Sequence, residues 1–298
     1  MACPTVAPAS PAGKSTMQRG SGMETTGKLN VIIVNYRTPD LTKHCVSSLM
    51  ALDIALPEDI VVVENASPDD SYARLRCELP AGVRVLHSAS NRGFGSGVNF
   101  GMAACRRDYV LVVNPDTHFT ENGLSKVLNL FEACPEAGLV GLDLQYPDGR
   151  RQYSARRFYS WLDIIGRRTP LGRTARFRAR MNDHLMVDAW AHDGPFDAEW
   201  VMGTGFVVRR ELFEALGGMD ESYFLYMEDV DLCARTWLAG YRVMGMPGVT
   251  LVHAHQRQSA ASPISRAGRH HVRSLWRFCR KFHVPLSLPP GIARIARL

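Results

Sequence analysis

Asp108–Asp116 reads DYVLVVNPD. Its apolar middle, Tyr109–Val113, is rich in β-branched residues and stops abruptly at Asn-Pro-Asp. A continuous apolar run of this length suits a central parallel strand covered on both faces. Asp116 then stands at the strand's far end, where open α/β sheets place their ligands. Its carboxylate has the chemistry to hold a divalent cation against a diphosphate, because hard cations prefer oxygen ligands and keep positions for phosphate. Asn-Pro-Asp is also good turn chemistry, so the flanking sequence has to separate the two readings.

Three β–loop–α units precede this strand. Leu29–Val34 (LNVIIV) leads to a helix from Pro39 to about Leu52, with Thr38 or Asp40 as its cap. Ile60–Val63 leads to a helix over Pro68–Leu79. Val83–Leu86 leads through Asn91–Gly97 (NRGFGSG) to a helix from Val98 to about Arg106. Such units imply a parallel sheet with right-handed crossovers. The strands end in Asn35-Tyr36, Glu64-Asn65, Asn91 and Asn114–Asp116, so their ends converge on one crevice lined by carboxylates and amides. Glu64 suits hydrogen bonding to a base or ribose, and Tyr36 suits stacking on a base. The glycine loop either brings backbone against phosphate or sugar at a helix N-terminus or is a plain tight turn. GFGSG lacks the third glycine of the dinucleotide fingerprint and follows the third strand, which argues against a dehydrogenase.

The second half adds a helix over Glu121–Cys134 and a strand over Gly138–Tyr146. Residues 147–199 are basic and aromatic-bearing (Arg156, Arg157, Phe158, Tyr159, Trp161), a length that suits a variable insertion or an acceptor-facing flap. Trp200–Val208 reads as a strand interrupted by Gly203-Thr204-Gly205, where bare backbone either faces a sugar or forms a bulge. A short helix over Arg209–Leu216 closes at Gly217-Gly218. Glu228, Asp229 and Asp231 then open a helix running to about Ala239. The helix dipole favours acids there by roughly 0.3–1 kcal/mol each. Paired carboxylates beside an aromatic run also raise one another's pKa and supply a general base. Val249–His255 puts His253 and His255 on one strand face, and either imidazole could complete the coordination of a cation held by Asp116.

At 298 residues and 46% apolar, the chain suits one large domain or a domain with an appendage. Its seven cysteines are scattered and never form CxxC, which argues against a disulfide framework or zinc site and for a reducing compartment. No run reaches membrane-spanning length. The first 27 residues are small and polar, as in a disordered leader. The net charge of +6 is unevenly placed: beyond Asp231 there is no Asp or Glu, and a second basic block spans Arg150–Arg180. Such blocks seek anions (phosphate-bearing substrates, acidic lipid such as an anionic membrane surface, or nucleic acid) or form a solvated arginine-rich surface, and the acidless tail favours anion contact. Nucleic acid is disfavoured as a partner, because no recognisable binding motif is present and the crevice is acidic.

Taken in order, VIIVNYR, VVVENAS, NRGFGSGVNFG, LVVNPDT, WVMGTGFVVRRELFEALGGMDESYFLYMEDVDLCAR and VTLVHAHQRQS cover roughly residues 28–260. Together they resemble the family-2 inverting glycosyltransferases of the GT-A fold, and within these the bacterial rhamnosyltransferases of surface polysaccharide synthesis. The resemblance implies an α/β fold: a mostly parallel nucleotide-binding sheet flanked by helices, with an acceptor-side extension. This domain would occupy 28–260, between the leader (1–27) and a basic C-terminal tail (261–298).

The resemblance also implies residue roles. Tyr36, Glu64 and Asn65 would bind the base and ribose of a nucleotide-sugar, Arg37 would belong to the same donor site, and Asn91, Gly93, Phe94 and Gly95 would shape the donor pocket. Asp116 would be the metal ligand of a reduced DxD element whose first acid is here Asn114. Glu64 stands where the family usually has Asp. Asp229 would be the catalytic base supported by Glu228 and Asp231, with Gly203, Thr204 and Asp231 along the acceptor. His253 or His255 would reach the metal or the diphosphate. The implied reaction moves L-rhamnose from dTDP-L-rhamnose, with Mg²⁺ or Mn²⁺, to a hydroxyl of a glycan or lipid-linked saccharide, inverting the anomeric centre. Its place would be the cytoplasm, or the inner face of the plasma membrane. A UDP-sugar donor (GlcNAc, galactose or glucose) and a non-catalytic nucleotide-binding module are the alternatives. The sequence carries no sign of oligomeric state.

Overall fold

The computed structural model describes residues 25–166, 169–254, 266–287, 289, 291–295 and 297. The first half alternates strand and helix: β1 (Leu29–Asn35), α1 (Pro39–Ala51), β2 (Ile60–Glu64), α2 (Ser71–Glu78), β3 (Arg84–His87), α3 (Phe94–Met102) and β4 (Tyr109–Val113). A short β5 (Thr117–His118), α4 (Leu124–Ala133) and β6 (Ala137–Gln145) follow. The stretch from 147 to 199 holds β7 (Ala155–Arg156), α5 (Trp161–Gly166), α6 (Ala175–His184) and β8 (Phe196–Asp197). The chain then forms β9 (Trp200–Val201), β10 (Gly205–Arg209), α7 (Arg210–Ala215), α8 (Glu228–Leu238), β11 (Arg242–His253), α9 (Arg266–Lys281) and α10 (Gly291–Ile295).

The main sheet has the order β3-β2-β1-β4-β10-β6-β11-β5, with β8 paired to β11. β3, β2, β1 and β4 are parallel, as the three β–loop–α units imply. Beyond them β10 runs antiparallel to β4 and β6, while β11 is parallel to β6, so the sheet as a whole is mixed. The apolar runs are continuous because both faces are covered. Val31, Ile33, Val62, Leu111 and Val113 meet Val46 and Leu49 of α1 and Val127 and Phe131 of α4 in one core. Ile32, Val34, Val61, Val63, Val110 and Val112 meet Val98 and Met102 of α3, Val230 of α8 and Phe278 of α9 in the other.

Several boundaries differ from the sequence reading, each for a local reason. The helix expected from Val98 begins at Phe94, so the glycine loop is largely helix. Its glycines serve packing: a Cβ on Gly97 would stand 2.7 Å from Val34 Cγ1 on β1. Thr38 precedes α1 without capping it; its N–H and hydroxyl both turn back to Asn35 Oδ1. The helix expected from Pro68 starts at Ser71, where Asp69 Oδ1 accepts from the Ser71 N–H, and the one expected from Glu121 starts at Leu124. WVMGTGFVV divides between two sheets, β9 pairing with β7 and β10 entering the main sheet. The strand expected from Val249 begins at Arg242, because Pro247-Gly248 sit in a register shift between Met246 and Thr250 instead of ending the strand.

Gly97→Ala should lower the unfolding free energy by about 1–3 kcal/mol, since the stiff β-branched Val34 cannot yield without moving its strand. Urea midpoints of the two proteins check this, and unchanged midpoints would contradict the packing role.

Candidate active site

A cleft of about 390 Å³ opens where β1 and β4 end, bounded by Tyr36, Phe94, Asn114–Asp116, Met202–Thr204, Leu225, Tyr226, Glu228, Asp229 and His253. The strand-end crevice therefore forms, and it gathers nine of the residues singled out in the sequence. A larger hollow of about 660 Å³ beside Thr169, Arg173, Phe177 and Met181 has neither carboxylate nor imidazole in its described lining.

On one part of the cleft, His253 Nε2 lies 3.2 Å from Asp116 Oδ2. The imidazole is buried and its other nitrogen, Nδ1, is 2.8 Å from Gln152 Oε1. Gln152 also donates through Nε2 to the His253 carbonyl, so the ring is fixed from behind. Ala254 N–H donates to the Asp116 carbonyl, which ties the end of β11 to the turn after β4. His255 lies outside the described residues.

On the other part, α8 points its N-terminus into the cleft. Asp229 Oδ2 accepts the Gly203 N–H at 2.8 Å and Oδ1 accepts the Val230 N–H at 2.9 Å. Thr204 O in turn accepts the Asn114 N–H at 3.0 Å, so a short backbone relay links Asp229 to the Asp116 turn. Burial raises the Asp229 carboxyl above its usual range, opposed by the N–H groups of Gly203, Val230 and Asp229 and by the charge of Arg156. Burial, and then the charge of Asp229, push the Glu228 carboxyl up to about 8. Buried Glu228 and half-buried Asp229 thus sit side by side at a helix start with both carboxyls raised.

The turn before α8 is held under strain. Tyr226 and Met227 both adopt left-handed backbone, φ 65° and 74°, which bulky residues seldom do. α9 braces it: Ser274 Oγ donates to the Leu225 carbonyl at 2.9 Å, and His270 stacks on Phe224 with centroids 4.5 Å apart.

Other expected site residues do not line the cleft. Asp231 is the clearest difference: fully buried, it bonds Tyr223 Oη, Arg235 Nε and Lys281 Nζ and is absent from the cleft lining. Glu64 is also fully buried; it accepts the Ser67 N–H and approaches His87 Nε2 at 3.4 Å. Asn65 donates to Asn91 Oδ1 and to the Gly93 carbonyl, so these residues form a floor behind the cleft. Gly93, at φ 103°, is pressed so close to Phe224 that a Cβ would lie 2.2 Å from its carbonyl oxygen, and Gly95 packs on Met219. Arg37 is exposed, with its N–H on Ser67 Oγ. Sequence reasoning missed Gln152, Met202, Leu225 and Tyr226. Leu225 and Tyr226 belong to the aromatic run beside the acid pair, but Gln152 comes from the illegible insertion.

One cleft thus joins a carboxylate–imidazole couple to an acid pair at the strand ends of an α/β sheet. Residues 30–217 match Glycosyl transferase family 2, and the chain belongs to that family: it is a glycosyltransferase that uses a nucleotide-sugar. It is 28% identical to the N-acetylglucosaminyl-diphospho-decaprenol L-rhamnosyltransferase of Mycobacterium tuberculosis, over 83% of this chain and 82% of that protein. It is 26% identical to rhamnosyltransferase WbbL of Escherichia coli, over 83% and 91%. In fold it is similar to the mannosyltransferase PcManGT of Pyrobaculum calidifontis in complex with GDP-Man and Mn²⁺, with TM-score 0.60 and 19% identity over 90% of this chain and 69% of that one. It is also similar to GalNAc-T7 with UDP, GalNAc and Mn²⁺, with TM-score 0.58 and 16% identity over 91% and 54%. The fold is thus GT-A-like.

The Glu228 pKa sets a sign for stability. The unfolded chain releases this proton near 4.5 and the folded chain near 8, so between them the folded state binds more protons and stability falls as pH rises. The slope from this group is at most about 1.4 kcal/mol per pH unit. Glu228→Gln should flatten that decline between pH 5 and 8, read as urea midpoints against pH. Parallel profiles for the two proteins would contradict the assignment.

Proposed function

We propose that this glycosyltransferase inverts the anomeric centre, depends on a divalent cation, and moves L-rhamnose from dTDP-L-rhamnose to a lipid-diphosphate-linked saccharide. The observation that carries the catalytic part is the meeting of the Asp116–His253 couple and the Glu228–Asp229 pair in one cleft. The sugar and the acceptor are inferred from the two rhamnosyltransferase relatives, one of which is named for a saccharide on diphospho-decaprenol.

In this reading Asp229 takes the proton of the acceptor hydroxyl as that oxygen attacks the anomeric carbon from the face opposite the leaving diphosphate. The Gly203 N–H holds the Asp229 carboxylate in place, and the raised Glu228 carboxyl keeps a second negative charge off the pair. Tyr36, 44% exposed at the rim, stacks on the base. Gly203 and Thr204 let the acceptor approach backbone.

The cation fits a shared site. Among the described residues no cluster of three or more His, Cys, Asp and Glu side chains could hold a metal. Asp116 offers one carboxylate, with the His253 imidazole beside it, which leaves positions for diphosphate oxygens. Bound there, Mg²⁺ or Mn²⁺ would neutralise the charge developing on the leaving group. A cytoplasmic setting is supported by the cysteines, all free among the described residues.

The test is a panel of dTDP-, UDP- and GDP-sugars with Mg²⁺ or Mn²⁺, reading donor binding, turnover and the anomeric configuration of the product. The account expects metal-dependent selection of dTDP-L-rhamnose with inversion. Asp116→Ala should weaken metal-dependent donor binding by about tenfold or more, and Asp229→Asn should keep binding but lose roughly 10²–10⁴ in turnover. Selection of a UDP-sugar would overturn the donor, and full turnover by Asp229→Asn would overturn the base.

A further inference from the structure

The outward face of α9 has no role in the cleft. Its inner face is spent on the core, where Ser274, Phe278 and Cys279 are buried. Arg269, Val272, Arg273, Trp276, Arg277 and Arg280 point the other way and are all exposed. At 100° per residue they form one stripe roughly 140° wide and about 16 Å long. The stripe combines an apolar centre with cations. Val272 is 49% and Trp276 53% exposed, and Arg280 lies over the Trp276 ring at 4.6 Å. Among the described residues no ion pair engages any of the four arginines; the neighbouring carboxylate, Asp220, is taken by Lys281 at 2.8 Å. The chain beyond Asp231 contains no acid to neutralise this face.

A second apolar edge adjoins the same C-terminal segment. The N–H groups of Trp161 and Leu162 donate to the carbonyls of Pro285 and Leu286, which anchors α5 to the chain after α9. There Leu162, Ile165 and Leu286 are 42%, 50% and 76% exposed. Five of the large apolar side chains left exposed thus belong to α5, α9 or the segment after it. An acidless, arginine-rich helix face with Trp at its centre complements an anionic lipid surface: the guanidinium groups meet headgroup phosphates while the indole and aliphatic side chains enter the interface.

We propose that the exposed face of α9, with the neighbouring Leu162, Ile165 and Leu286, docks the enzyme on an anionic lipid bilayer. Because α9 also braces Phe224–Tyr226 beside the cleft, docking seats the catalytic cleft close to the membrane surface. The proposal is independent of which sugar is transferred, since lipid alone is the probe.

The experiment is co-sedimentation of the full chain with phosphatidylcholine vesicles, with and without phosphatidylglycerol. The account expects pelleting with the anionic vesicles only, undiminished by inorganic phosphate. Each arginine contributes roughly fivefold to partitioning on such a surface, so Arg273→Glu with Arg277→Glu should weaken it by at least about 25-fold. Trp276→Ser should weaken it independently, with circular dichroism and donor turnover in solution unchanged in both variants. Equal pelleting with neutral vesicles, binding that survives the charge reversal, no binding at all, or displacement from vesicles by a short RNA would each overturn the proposal.

Discussion

The hydrogen bond from the Gly203 N–H to Asp229 Oδ2 is the constraint on which the site depends. It joins α8, which carries the acid pair, to the turn between β9 and β10. That turn is bonded through Thr204 to Asn114, two residues before Asp116. One short relay therefore fixes the spacing between a carboxylate that suits a cation and a carboxylate that suits a proton. Gly203 is suited to this position because a Cβ there would crowd Asp229 Cβ at 3.3 Å.

Withdrawing Glu228 fully and Asp229 partly from water is costly, and the surrounding structure offsets the cost in separate ways. Backbone N–H groups and the start of α8 solvate Asp229, while Glu228 is driven toward its neutral form by burial and by its neighbour. The strained pair Tyr226-Met227 aims the helix start into the cleft, and α3 and α9 clamp the segment before it from two sides. Arg235 and Lys281 neutralise the third acid, Asp231, away from the cleft. The helix thus separates a chemical pair from a structural anchor within four residues.

Much of this was legible from sequence where burial is uniform. β1, β2 and β4 stand out because both sheet faces are covered, so their apolar runs are unbroken. Asp116, Asp229 and His253 were legible as polar residues stopping apolar runs or opening a helix. Asp231's place off the cleft was hidden because proximity in sequence outweighed helical geometry: two positions along a helix is about 200° around it, so Asp229 and Asp231 face opposite ways. The glycine loop read either as backbone facing phosphate or sugar or as a plain tight turn, whereas Gly95 and Gly97 pack α3 closely on Met219 and Val34, which only a tertiary partner reveals. The first half of β11 was hidden by its own Pro247-Gly248 irregularity. Gln152 was out of reach, because it meets His253 across 101 positions of sequence.

The central claim is that nucleotide diphosphate and cation share the Asp116–His253 end of this cleft. Anomalous diffraction at the manganese edge, from crystals grown with Mn²⁺ and dTDP, tests it most directly. The account predicts a single strong peak at coordination distance, about 2.2 Å, from an Asp116 carboxylate oxygen, with the diphosphate completing the shell. A peak elsewhere, or nucleotide bound in the hollow beside Phe177, would contradict it.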